Sequence, residues 1–144
     1  SLPETNYLIQ ILRGIDIPKM DIGSESDPYV KLKILNTESE KQKGDDIVSL
    51  YRMDNPNPTW NCYRTFSASE FHDSLKFEIF DKDFTDNDDF IGYAQIKIKE
   101  IYVNVCDNDD DDEEEDEDED CLQEIDIILK KDKHKKKHNT KYSL

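Results

Sequence analysis

The stretch Phe80-Asp81-Lys82-Asp83-Phe84-Thr85-Asp86-Asn87-Asp88-Asp89-Phe90-Ile91-Gly92 is dense in carboxylates and joins one alternating apolar segment to another. Upstream, Lys19-Met20-Asp21 and Ser26-Asp27-Pro28-Tyr29-Val30 repeat the arrangement, with one Asp before a small-residue turn and one where a strand begins. Crowding carboxylates at loop ends costs Coulomb repulsion and desolvation unless a hard cation is shared among them. Asp also favours turns for local hydrogen-bonding reasons, so the competing reading is a set of solvated turn aspartates. The spacing favours the shared cation: six residues from Asp21 to Asp27, then two and six from Asp81 to Asp83 to Asp89.

A helix-loop-helix calcium loop starting at Asp81 fails on inspection. Its sixth position should be Gly and is Asp86, and its twelfth should be a bidentate Glu and is Gly92. The flanks alternate with period two rather than 3.6, so the loop must sit between strands.

Strands are therefore the elements that position these residues. Residues 7–13 form an apolar run, and 29–35 alternate with Val30, Leu32 and Ile34 on one face and Lys31 and Lys33 on the other. Residues 47–53 read as a weaker strand, and 61–66 as a strand following the Pro-rich turn Asn55-Pro56-Asn57-Pro58-Thr59. Leu75, Phe77 and Ile79 alternate with Lys76 and Glu78, and Ala94, Ile96 and Ile98 with Gln95, Lys97 and Lys99. Ile125, Ile127 and Leu129 mark a further strand, and 140–144 a last one. Residues 37–46 read as a polar hairpin connection with little structure of its own, 67–74 as room for one helical turn, and 100–105 as a strand extension or short connector. Short strands separated by turn signals predict an all-β, antiparallel β-sandwich.

The 144 residues predict a single domain, 1–144. The formal charge of −16 is concentrated in an acidic low-complexity run at 107–120; without its 13 acids the charge falls to −3. That run cannot bury a core, repels itself and is expected to be disordered, as an insertion in a loop before the last strands. A Lys-rich segment follows at 130–141. An anionic chain is a poor candidate for nucleic acid, which is bound by neutralising phosphates. No secretory or membrane-spanning run is evident, and Cys62, Cys106 and Cys121 lack zinc-ligand spacing. A reduced, intracellular chain is expected, and the Ser1 start is read as that of a piece of something longer. No nucleophile-base pairing or phosphate loop stands out, so catalysis is not expected.

Four motifs in this order, Lys19-Met20-Asp21, Ser26-Asp27-Pro28-Tyr29-Val30-Lys31-Leu32, Asn57-Pro58-Thr59-Trp60-Asn61 and Phe80-Asp81-Lys82-Asp83 through Asp89-Phe90-Ile91-Gly92, resemble the C2 domain of synaptotagmins, conventional protein kinases C and ferlins. The resemblance implies an eight-stranded sandwich, in the family's second topology with 140–144 as its last strand, and three loops at one end. It implies two or three calcium ions held by Asp21, Asp27, Asp81, Asp83 and Asp89, with Asp86 as a supplementary ligand and the carbonyls of Met20 and Lys82 assisting.

From that resemblance the expected function is calcium-dependent binding to anionic phospholipid, phosphatidylserine above all, by a monomeric domain that brings a larger cytoplasmic protein to a membrane in signalling or vesicle trafficking. The parent protein could be an enzyme such as a kinase or phospholipase. Ile22 and Phe84 are candidates for insertion at the headgroup boundary, or for local packing. Tyr29, Lys31 and Lys33 match part of a basic headgroup surface, although Val48 and Leu50 stand where further basic residues belong and Arg52 is only a partial substitute. Trp60 is read as structural. The competing function is a calcium-independent protein scaffold, with the acidic run as one surface for a partner.

Overall fold

A computed structural model describes residues 3–20, 25–103 and 124–131. Among the described residues there are six strands: β1 (Thr5–Arg13), β2 (Pro28–Asn36), β3 (Gln42–Val48), β4 (Thr59–Ala68), β5 (Asp73–Asp81) and β6 (Asp89–Lys97). A short helix, α1 (Ile98–Val103), follows β6. Strands β1 and β4 pair antiparallel in one sheet, and the other has the order β3-β2-β5-β6, also antiparallel throughout.

The alternation in the sequence becomes the two faces of the larger sheet. Val30, Leu32, Ile34, Leu75 and Ile79 are buried and meet Ile11, Trp60, Cys62 and Ala68 from the smaller sheet. Leu32 is fully buried at the centre. Burying a side chain of this kind stabilises the fold by roughly 1.5–3 kcal/mol. Trp60 is structural, as expected: its ring is buried and its indole N–H donates to the Pro28 carbonyl at 3.0 Å.

Two element assignments, the third strand and 125–129, need correction. The third strand runs from Gln42 to Val48 and not over 47–53, so half of the expected structureless connection is strand. Asn36 allows this by closing a tight turn, its Oδ1 accepting the N–H groups of Glu38 and Ser39 at 3.1 and 2.9 Å. Beyond β3 the chain keeps bonding to β2 irregularly, Ser49 N–H donating to Val30 O and Arg52 N–H to Pro28 O.

Residues 67–74 hold a single hydrogen-bonded turn, as expected, and no helix beyond it. Ser69 and Asp73 close a reciprocal turn, Asp73 N–H donating to Ser69 O at 3.0 Å and Ser69 N–H to Asp73 Oδ2 at 2.7 Å. Of the two expectations for 100–105, the described part, 100–103, fits the short connector: it lies in α1 and does not extend a strand. Residues 127–129 alternate in burial as a strand would, but Ile125 is exposed and the segment forms no ladder. They are irregular, and the segment meets β6 at a single bridge between Tyr93 and Lys130. The acidic run at 107–120, the cysteines at 106 and 121 and the expected strand at 140–144 lie outside the described residues.

Candidate functional site

Three strand ends bring the acidic motifs to one edge of the larger sheet. In the β2–β5–β6 registers, Pro28 faces Asp81 and Asp81 faces Asp89, so Asp27, Asp81 and Asp89 stand in adjacent rows. The Asp27 N–H donates to Asp81 Oδ1 at 2.8 Å, and the Lys82 N–H returns to the Asp27 carbonyl at 3.0 Å. This exchange locks the first and third loops together, and Asp81 is buried within it.

The second loop joins from the other side. Asp54, with a left-handed φ of 47°, donates its N–H to Asp27 Oδ1 at 2.6 Å, and its own Oδ1 accepts the Glu25 N–H at 2.8 Å. Asp tolerates that conformation better than most residues. Asp54 was not singled out in the sequence.

Asp83 and Asp86 shape the third loop from within. Asp83 Oδ1 accepts the Thr85 N–H at 2.9 Å, the Thr85 hydroxyl at 3.0 Å and the Asp86 N–H at 3.2 Å. The Thr85 N–H and hydroxyl hold the Asp83 carboxyl below the usual carboxylate range. Asp86 is exposed and accepts the N–H of its neighbour Asn87.

Asp88, beside Asp89, is tied to groups both inside and outside the loop. It accepts the Tyr29 hydroxyl and the Asp83 N–H, the latter at 2.9 Å, and faces Lys82 Nζ at 3.8 Å. The Tyr29 hydroxyl, followed by the Asp83 N–H, pulls the Asp88 carboxyl below its ordinary value. Burial first, then the hydrogen bond to Asp88, pushes the Tyr29 phenol up.

Met20 is exposed, and Asp21 and Ile22 lie outside the described residues. Among the described residues, no three His, Cys, Asp or Glu side chains converge as a ready metal group. The donor types brought together at this edge are all hard oxygens, which fits calcium better than zinc or copper.

Phe84 is exposed, and its ring packs on Tyr51 of the second loop. Leu50 and Met53, read as strand from the sequence, are exposed in the same loop. On the outer face of the sheet, Lys31 lies over the Phe80 ring at 4.9 Å and Lys33 pairs with Glu78 at 3.2 Å. Arg52 does not supplement this surface. Its guanidinium donates to the carbonyls of Thr59 and Trp60.

A sequence profile of the C2 domain matches residues 6–121. The chain belongs to the C2 domain family. It is 32% identical over 90 residues to the E3 ubiquitin-protein ligase Nedd-4 of Drosophila melanogaster, covering 62% of this chain and 9% of that protein. It is also 32% identical over 96 residues to the human multiple C2 and transmembrane domain-containing protein 1, covering 67% of this chain and 9% of that one. The chain thus spans about a tenth of the length of these curated relatives. Among solved structures it resembles a C2 domain of a plant extended synaptotagmin 1, with a TM-score of 0.59 and 25% identity over 66% of this chain and 70% of that one. Human GIVD cytosolic phospholipase A2 shares the fold, with a TM-score of 0.58 over 66% of this chain and 12% of that chain. Membership of the C2 family, with relatives among multi-C2 membrane proteins, supports membrane or lipid binding in general. No helix among the described residues is long and apolar enough to cross a membrane.

Proposed function

We propose that this C2 domain binds anionic phospholipid in a calcium-dependent way and carries a larger cytoplasmic protein to a membrane. The observation that supports the reading is the placement of Asp27, Asp81 and Asp89 in adjacent rows at one end of the larger sheet, with the exposed Phe84 on the loop that joins Asp81 to Asp89. Asp21, Asp27, Asp81, Asp83 and Asp89 would hold two or three ions, helped by Asp86 and the carbonyls of Met20 and Lys82. Bound calcium would supply the countercharge and open coordination positions for a headgroup phosphate or the carboxylate of phosphatidylserine.

The chain's own residues do the rest. The rim carboxylates keep an anionic bilayer away until they are neutralised, and two dications bring five carboxylates to within about one charge of neutral. Phe84 and Ile22 then enter the headgroup boundary, where partly apolar side chains are favoured. Tyr29, Lys31 and Lys33 form a secondary headgroup surface in the same reading. The domain acts as a monomeric, non-catalytic module, and the acidic run is free to serve a protein partner.

Sedimentation with phosphatidylserine-containing vesicles, in calcium and again in chelator, tests the proposal. Binding only in calcium supports it. Binding in both conditions transfers the weight to the lysine surfaces, and binding in neither favours a protein scaffold.

A further inference from the structure

We infer that Asp88 is a positioning residue for the β5–β6 loop: it holds the backbone that presents Asp83 and does not itself bind the ion. The assignment rests on the calcium reading above. Both Asp88 oxygens are engaged by protein groups from separate parts of the chain. Oδ1 accepts the Asp83 N–H at 2.9 Å, while Oδ2 accepts the Tyr29 hydroxyl and faces the Lys82 ammonium.

The Tyr29 tie comes from outside the loop. Tyr29 lies on β2, is buried, and stacks on Phe80 of β5 with ring centroids 5.6 Å apart; Phe80 in turn meets Phe90 of β6 edge-on at 5.5 Å. The hydroxyl is therefore fixed by three neighbouring strands. The contacts of Asp83 with Thr85 and Asp86 are internal to the loop and would survive its swinging as a unit. The path Tyr29–Asp88–Asp83 stops that motion. Asp88 thus differs in role from Asp89, which faces Asp81 across the strands.

The test compares wild type, Asp88→Ala, Asp88→Asn and Tyr29→Phe. Calcium binding is read by titration calorimetry, and exchange of the Asp83 amide is read by NMR in chelator. Asn keeps an oxygen for the Asp83 N–H, so Asp88→Asn is expected to stay within about threefold of the wild-type calcium affinity. Asp88→Ala removes a charge-assisted acceptor and is expected to weaken affinity about tenfold, with unchanged stoichiometry and faster Asp83 exchange in chelator. Tyr29→Phe removes one tie and is expected to cost about fivefold, which carries the test should Asp88→Ala not fold. Asp88→Asn binding as weakly as Asp88→Ala would make Asp88 a ligand and overturn the assignment. Wild-type affinity in Asp88→Ala or Tyr29→Phe would overturn it as well, leaving the calcium reading intact. A wild-type domain that takes up no calcium would overturn that reading, and this role with it.

Discussion

The ring of Tyr51 meets the ring of Phe84 edge-on, with centroids 5.4 Å apart and planes inclined by 78°. Tyr51 follows β3 and Phe84 lies between β5 and β6, so the contact ties two loops into one apolar tip. Aromatic pairs of this kind contribute about 0.5–1.5 kcal/mol. Phe84→Ala is expected to weaken calcium-dependent vesicle binding about tenfold while changing the melting temperature little. Tyr51→Ala is expected to act in the same direction, with the double variant less than additive. A vesicle titration at fixed calcium decides; unchanged binding in both single variants would remove this tip from the docking surface.

Calcium is expected to raise the melting temperature, because a ligand of the folded state stabilises it by about 2.7 kcal/mol per site at a hundredfold excess over Kd. Asp83→Asn should lose most of that shift. Scanning calorimetry in calcium and in chelator measures it, and an undiminished shift in the variant would exclude Asp83 as a ligand.

Lys43 supplies a prediction that calcium does not enter. Its ammonium reaches Asp73 Oδ2 at 2.7 Å and Glu4 Oε1 at 2.9 Å, and those two partners, Asp73 first, raise its pKa above the ordinary lysine value of 10.5. A raised pKa means that the contribution is complete below the unfolded value and is lost as pH rises through the folded one. The pair therefore holds across neutral pH and fails only above about pH 10.5. Lys43→Met leaves Asp73 buried without its cation and is expected to cost about 2 kcal/mol, reduced from a fully buried pair because Lys43 is part-exposed. Lys43→Arg should retain stability at pH 11, where wild type declines. Urea unfolding at the two pH values checks both.

Asp88 gives the acid counterpart. Its carboxyl is held below 3.8, so its contribution is present above the unfolded value and lost as pH falls through the folded one. In chelator, Asp88→Asn is expected to show a shallower loss of stability than wild type below about pH 4, with parallel curves from pH 5 to 7. Thermal melts across that range make the comparison; identical slopes below pH 4 would contradict the lowered value.

Gly92 marks a close approach. A Cβ there would come within 3.0 Å of the Lys130 carbonyl oxygen and 3.4 Å of the Leu129 Cβ. The first obstacle is backbone, so the segment 124–131 must give by a few tenths of an ångström, which strains the two Tyr93–Lys130 hydrogen bonds of 2.8 and 2.6 Å. Gly92→Ala is expected to cost roughly 1–3 kcal/mol and to expose the Tyr93 amide to exchange. Protection equal to wild type would show that the segment does not depend on this contact.

The fold was legible wherever a strand buries one face. Val30, Leu32 and Ile34 against Lys31 and Lys33 announced β2, and Asp27, Asp81 and Asp89 stand at strand ends, while Asp21 lies outside the described residues. Strand β3 was not legible, because Gln42-Lys43-Gly44-Asp45-Asp46 lies toward solvent and carries no apolar rhythm to read. The segment 125–129 misled in the opposite sense: its alternating isoleucines face inward and outward, but only Lys130 makes a bridge. Asp27, Asp81 and Asp89 were found by spacing, since all three mark strand ends. Asp88 and Asp54 were not, because their roles depend on Tyr29 and Asp27, which stand 59 and 27 residues away in the chain.

Strand β5 has a buried aspartate at each end, Asp73 and Asp81. The first is matched by the ammonium of Lys43 from the chain itself, while under the calcium reading further countercharge at the second arrives from solution. The sandwich then has a pole whose buried charge is always compensated and a pole whose charge is compensated only on demand. Local opening in proteins begins at the least stabilised region. Proteases acting on the resting domain should therefore cut first near the loop pole, and that polarity should vanish once the ion arrives.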